Sequence, residues 1–106
     1  MRHPVHNNRR ALTATELVTQ LSQLNAHNAA GWRLIDGALE KAFAFKNFYE
    51  TIAFVNAVAF IANAQDHHPD LAVSYNKCTV RFNTHDVGGV SVSDFFCASR
   101  VGELLT

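Results

Sequence analysis

Three histidines and one aspartate could do chemistry together: His67, His68, His85 and Asp94. Imidazole is the side chain that ordinarily titrates closest to neutral pH, so a group of imidazoles can give and take protons at two atoms of one substrate. His68 precedes Pro69, which favours extended backbone at His68, so the rings of His67 and His68 should point in different directions. Rings approaching from two sides suit proton transfer at two atoms better than chelation of one ion. The patterns H-x-H and H-E-x-x-H are absent, and Cys78 and Cys97 lack zinc-type spacing. No metal is expected. His3, His6 and His27 read as surface residues.

A hairpin must bring the imidazoles together. Leu71 to Tyr75 and Cys78 to Thr84 read as its strands, around Asn76-Lys77. A turn centred on Asn76 sets His67 opposite His85; one centred between Asn76 and Lys77 sets His68 opposite His85. Either register, or one shifted by a bulge, gathers the rings at one end. Cys78, Val80 and Phe82 alternate with Thr79, Arg81 and Asn83, and His85 has the parity of the polar set. Gly88-Gly89 then breaks the chain. Ser91 and Asp94 form a capping box opening a last helix that carries Phe95, Ala98, Val101 and Leu105. Asp94 thus lies at the histidine end; capping is a sufficient task for it, and a functional one is equally open.

Other elements support this hairpin. Thr13 and Glu16 make a capping box for a first helix with Leu17, Leu21 and Leu24 on one stripe, ended by Asn28 and Gly31. Asp36-Gly37 supplies the tight turn of a first hairpin, Trp32 to Ile35 and Ala38 to Phe45, with Leu39, Phe43 and Phe45 on one face and Trp32 packed on the sheet. Asn47 caps a long helix, with Glu50 three residues on. Its core stripe reads as Phe48, Ile52, Val55, Ala59 and Ala62; a second stripe, Phe54, Val58 and Ile61, calls for further cover, which a partner subunit could supply. The order α-β-β-α-β-β-α with strands in hairpins predicts an α+β fold: a four-stranded antiparallel sheet with three helices on one face.

Composition agrees with one folded unit. The 106 residues, 48% hydrophobic and 17% charged, fit a single domain spanning 1–106, with 1–12 loosely ordered. Nine Lys+Arg balance nine Asp+Glu, which argues against direct nucleic-acid binding. No apolar run reaches membrane-span length, and no signal peptide opens the chain, so a cytoplasmic protein with reduced cysteines is expected.

At these residues the sequence resembles the pterin-4a-carbinolamine dehydratase family. The resemblance is carried by His67-His68-Pro69-Asp70, Tyr75 with Asn76-Lys77, Thr84-His85, Gly89 to Ser91, and Asp94. Upstream it includes Gly31-Trp32, Phe43 and Phe45 running into Phe48, and Phe54-Val55-Asn56, so that about residues 13–105 are covered. It implies dehydration of a 4a-hydroxytetrahydropterin (4a-carbinolamine) to the quinonoid dihydropterin, which recycles a tetrahydropterin cofactor. His67, His68 and His85 would be the acid/base and orienting groups, with acid and base unassigned. Pro69, Thr84, Asp86 and Val87 would line the pterin site, and Asp94 would orient His85. The resemblance implies no cofactor, a homodimer or homotetramer, and in some members a role as dimerisation partner of transcription factors. One position departs from the family: Asn63 stands four residues before His67, where a charged residue, most often Glu, is usual.

Overall fold

The computed structural model describes residues 10–27 and 30–105. Helix α1 (Ala14–His27) begins at the expected capping box: Glu16 N–H donates to Thr13 Oγ1 at 3.3 Å, and Thr13 N–H to Glu16 Oε1 at 2.9 Å. Arg10 grips the same carboxylate with two bonds of 2.8 Å, and this guanidinium, more than any other cause, holds the Glu16 carboxyl down at about 2. Leu12 N–H donates to Val90 O at 2.8 Å, so residues 10–12 are tied down where loose order is expected. The expectations for residues 1–9, and for Asn28 as a helix end, lie outside the described residues.

Strands β1 (Arg33–Ile35) and β2 (Ala38–Ala44) flank the Asp36-Gly37 turn, whose φ angles of 48° and 77° are the positive values that a tight hairpin turn needs. Helix α2 (Phe48–Gln65) follows, then β3 (Asp70–Ser74), β4 (Lys77–Phe82), a short 3-10 turn (His85–Val87) and helix α3 (Val92–Glu103). The strands form one antiparallel sheet in the order β1-β2-β4-β3. The fold is the α+β arrangement expected, in the expected element order. Leu39, Phe43, Cys78, Val80 and Phe82 meet Leu24 of α1, Phe54 and Val58 of α2, and Phe95, Ala98 and Val101 of α3 in a single core. Trp32 packs edge-on against Phe43, with ring centroids 5.9 Å apart.

Helix α2 turns its core face toward the second stripe: of the stripe expected in the core, Ala62 is buried and Val55 packs against the core, but Phe48 and Ala59 do not. Thr51, Phe54, Val58, Ala62 and Gln65 face the core, whereas Phe48 is 49% exposed and Ala59 lies on the surface. Both stripes are apolar, so hydrophobicity could not choose between them. Thr51 marks the right one: its hydroxyl donates to Asn47 O at 2.9 Å and contacts Tyr75 O at 3.0 Å, joining α2 to the second hairpin. Leu105, expected on α3, lies beyond its end and is exposed.

The second hairpin also differs in register. Its turn is Tyr75-Asn76, with Ser74 opposite Lys77 and Asp70 opposite Arg81. Neither expected pairing of His67 or His68 with His85 exists, because the β3–β4 ladder ends at Asp70 opposite Arg81, before any of the three is reached. What brings these histidines together is the path of the chain beyond each strand.

Candidate functional site

Helix α2 ends at Asp66, whose φ of 52° is left-handed, a conformation that Asp tolerates better than most side chains. The chain reverses there, and His67 N–H donates to Ala62 O at 3.0 Å. The two following rings separate, as the Pro69 argument requires. His67 turns into the protein and is only 5% exposed, stacked on Phe82 with 6.1 Å between centroids and 9° between planes. His68 stays outside and donates Nε2–H to Asn63 Oδ1 at 3.1 Å.

His67 meets Asp94. Its Nε2–H donates to Asp94 Oδ1 at 2.5 Å, inside the protein and across 27 residues of sequence. Asp94 has no exposed surface. Its other oxygen, Oδ2, accepts from Thr84 Oγ1 at 2.8 Å and from Ser91 N–H at 2.9 Å. The carboxylate therefore receives three donors, enough to compensate its removal from water. With Nε2 committed as a donor, Nδ1 is the nitrogen through which His67 can accept a proton. An oriented carboxylate that fixes the imidazole tautomer is a known way to prepare a histidine for proton transfer.

Beyond β4, Thr84 N–H donates to Gly89 O at 2.8 Å, closing a loop that holds the 3-10 turn. His85 and Asp86 are exposed on that turn. His85 thus reaches the surface through the turn; strand parity does not determine its position, because β4 has already ended. An open cleft of about 330 Å³ lies between the two segments, lined by Asp66, His67 and His68 on one side and Asn83, Thr84, His85 and Asp86 on the other. This volume lies at the small end of ligand sites. A larger groove of about 550 Å³ runs between α1 and α3, but its one histidine is His27. Among the described residues, no three His, Cys, Asp or Glu side chains converge as a metal site.

The cleft brings together His67, His68, His85, Thr84 and Asp86. Pro69 and Val87 are half-buried beside it and not part of its lining, while Asp94 is buried behind His67. Asp94 holds His67; the hydrogen bond to His85 expected for it is absent. Asp66 and Asn83 line the cleft without having been singled out from sequence, and Ser91 has a second role beside capping. The left-handed Asp66 has no sequence signature beyond the Asp itself, and the reach of Asp94 depends on how residues 83–91 fold back. Cys97, one turn beyond Asp94 on α3, is pushed up to about 12 by burial first and by the Asp94 charge second.

Fold and cleft define a small α+β domain that gathers one carboxylate-anchored imidazole and two exposed ones at an open cleft. The family model for pterin 4 alpha carbinolamine dehydratase matches residues 10–104, and the chain belongs to that family. A provisionally named pterin-4-alpha-carbinolamine dehydratase of Paracidovorax citrulli is 59% identical over 101 residues, covering 92% of this chain and 83% of the relative. A similarly named protein of Nitrosomonas eutropha is 48% identical over 92 residues, covering 87% of this chain and 75% of the relative. A crystal structure from Brucella melitensis, described as a transcriptional coactivator/pterin dehydratase, superposes with a TM-score of 0.82 at 29% identity, covering 92% of this chain and all of that one.

Proposed function

We propose that this chain dehydrates a 4a-hydroxytetrahydropterin to the quinonoid dihydropterin by histidine acid/base catalysis, in the recycling of a tetrahydropterin cofactor. The observation that carries the reading is the buried His67–Asp94 pair at the wall of a cleft that also holds His68 and His85. In the elimination, a base takes the N5 proton, the C4a–O bond breaks, a double bond forms between C4a and N5, and an acid protonates the departing hydroxyl, giving water. No electrons are gained or lost, so no redox cofactor is required. His67, His68 and His85 are the acid, base and orienting groups, each proton transfer worth roughly 10²–10⁴-fold. Thr84 and Asp86 border the pterin, with Pro69 and Val87 supporting its edge. A cytoplasmic location suits such recycling.

The test is turnover of enzymatically generated 4a-carbinolamine, followed by absorbance with EDTA present, for wild type against His68→Ala/His85→Ala. Acceleration by wild type that the double variant loses supports the reading. Folded wild type that leaves the spontaneous rate unchanged sinks it.

A second reading, a non-catalytic association or coactivator module, is favoured by one feature. Tyr49 and Phe60 are 89% and 76% exposed on the outer face of α2, beside Phe48. Large apolar side chains grouped on one helix face suit self-association into a dimer or tetramer, or docking of another helix. The Brucella structure's description as a coactivator accords with it.

A further inference from the structure

Thr84 sits where the two halves of the cleft meet. Its backbone shapes the loop that carries His85: Thr84 N–H donates to Gly89 O at 2.8 Å, and Val87 N–H donates to Thr84 O at 3.1 Å. Its hydroxyl points the other way, 2.8 Å from Asp94 Oδ2 and 2.6 Å from Ser91 Oγ. The direction of the protons along this chain is forced. Asp94 accepts from His67, Thr84 and the Ser91 amide, so the single hydroxyl proton of Thr84 goes to Asp94. The proton between the two hydroxyls must then come from Ser91. Serine donates to threonine, threonine to one carboxylate oxygen, and His67 to the other. Buried hydrogen bonds linked in this way polarise one another.

We propose that Thr84 is a positioning residue for the proposed dehydration, acting through Asp94 on His67. Its hydroxyl fixes the plane of the Asp94 carboxylate, so that Oδ1 holds the Nε2 proton of His67 and Nδ1 is left as the ring nitrogen that can exchange a proton with a substrate. The same residue sets the start of the His85 loop, so one position keeps the buried imidazole and the exposed one in mutual alignment. Thr84 is 1% exposed, and its hydroxyl is already committed to two inward partners. A threonine whose task was to bond the pterin would turn that oxygen to the cleft. The titratable groups around His67 are Asp94 from α3, Asp66 and His68 from its own segment, and His85 and Asp86 from the loop. Asp94 hydrogen-bonds the ring itself.

This inference rests on the dehydratase reading for its kinetic part, and a spectroscopic part separates the two. Thr84→Val is nearly isosteric and deletes the hydroxyl, while Thr84→Ser keeps it. We expect Thr84→Val to lower kcat roughly 10–100-fold with KM changed by less than about twofold, and Thr84→Ser to recover most of it. In protein labelled with ¹⁵N-histidine, the His67 ring nitrogens should shift in Thr84→Val and return in Thr84→Ser. Unchanged His67 resonances in folded Thr84→Val would overturn the proposal. So would a raised KM at unchanged kcat, which marks direct pterin contact. If wild type shows no turnover while Thr84→Val still moves the His67 resonances, positioning stands and the dehydratase reading falls. Should Thr84→Val not fold, Ser91→Ala removes the donor to Thr84 and should move the same resonances less; unchanged resonances in that folded variant would also overturn the proposal.

Discussion

His68 donates its Nε2 proton to Asn63 Oδ1 at 3.1 Å, back across the left-handed residue that ends α2. The acceptor is neutral, at the position where the sequence resemblance implies a charge. It orients the ring without favouring the imidazolium through a full charge. Asn63→Glu should therefore move the titration of His68 upward, by an amount limited by solvent because the pair is exposed. In a bell-shaped pH profile of kcat/KM, the acidic limb moves up if His68 is the base, and the alkaline limb moves up if it is the acid. The limb that moves assigns the role. A profile that does not move shows that this position does not tune the histidine.

Asp94 supplies a sharper test. Asp94→Asn keeps the volume and places an amide where three donors now converge on a carboxylate. Either amide orientation leaves a donor facing a donor, at Nε2 of His67 or at Thr84 and the Ser91 amide. We expect kcat to fall by at least roughly 10²-fold through the wrong His67 tautomer. Stability should fall by about 1–3 kcal/mol through the buried unsatisfied groups. Single-turnover kinetics and denaturant unfolding measure the two effects separately. A variant with full activity would show that the His67–Asp94 pair is only structural.

The sequence carried the element order, the caps and the tight turn, because each is a local rule satisfied by residues a few positions apart. Thr13 with Glu16, Asn47 with Glu50 and Asp36-Gly37 all do in the structure what their types allow. The convergence of His67, His68 and His85 was legible too, although the register that suggested it is not the one adopted. What could not be read was any feature decided by a choice between equals. Phe48 and Phe54 lie on stripes of similar hydrophobicity, and it is the contact of the Thr51 hydroxyl with Tyr75 O, across to the second hairpin, that tells them apart. Whether Asp94 would meet His85 or His67 depended on the fold of residues 83–91. The resemblance puts Thr84 at the ligand site, and it does line the cleft, but the inward direction of its hydroxyl has no signature in the sequence.

The α2 correction decides which variant can test self-association. Phe54 is core, its ring centroid 4.7 Å from that of Phe43, so a polar residue there would unfold the domain and say nothing about assembly. Phe60→Glu, alone or with Tyr49→Ser, alters only the exposed face. The expected outcome is a lower molar mass by light scattering, with far-UV circular dichroism unchanged. Turnover retained by the dissociated form would show that assembly is incidental to catalysis. An unchanged mass would remove this face as an interface.

Cys97 yields a prediction that needs no substrate. Its thiol is buried, and burial, helped by the neighbouring Asp94 charge, pushes it up to about 12. At pH 8 the folded protein should resist alkylation by iodoacetamide at Cys97, and denatured protein should react readily, because the thiolate is the nucleophile. The consequence for stability has a definite sign. The folded state keeps the proton above the pH at which an unfolded cysteine loses it, so the contribution is complete below about pH 8.5. It is lost as pH rises toward about 12, where the folded thiol also ionises. Cys97→Ala removes the group that titrates and should flatten the fall in unfolding free energy across this alkaline window. Urea unfolding of both proteins at stepped alkaline pH measures the difference in slope. Parallel curves would mean that the thiol ionises equally easily in both states, and that the Asp94 charge is not felt at Cys97.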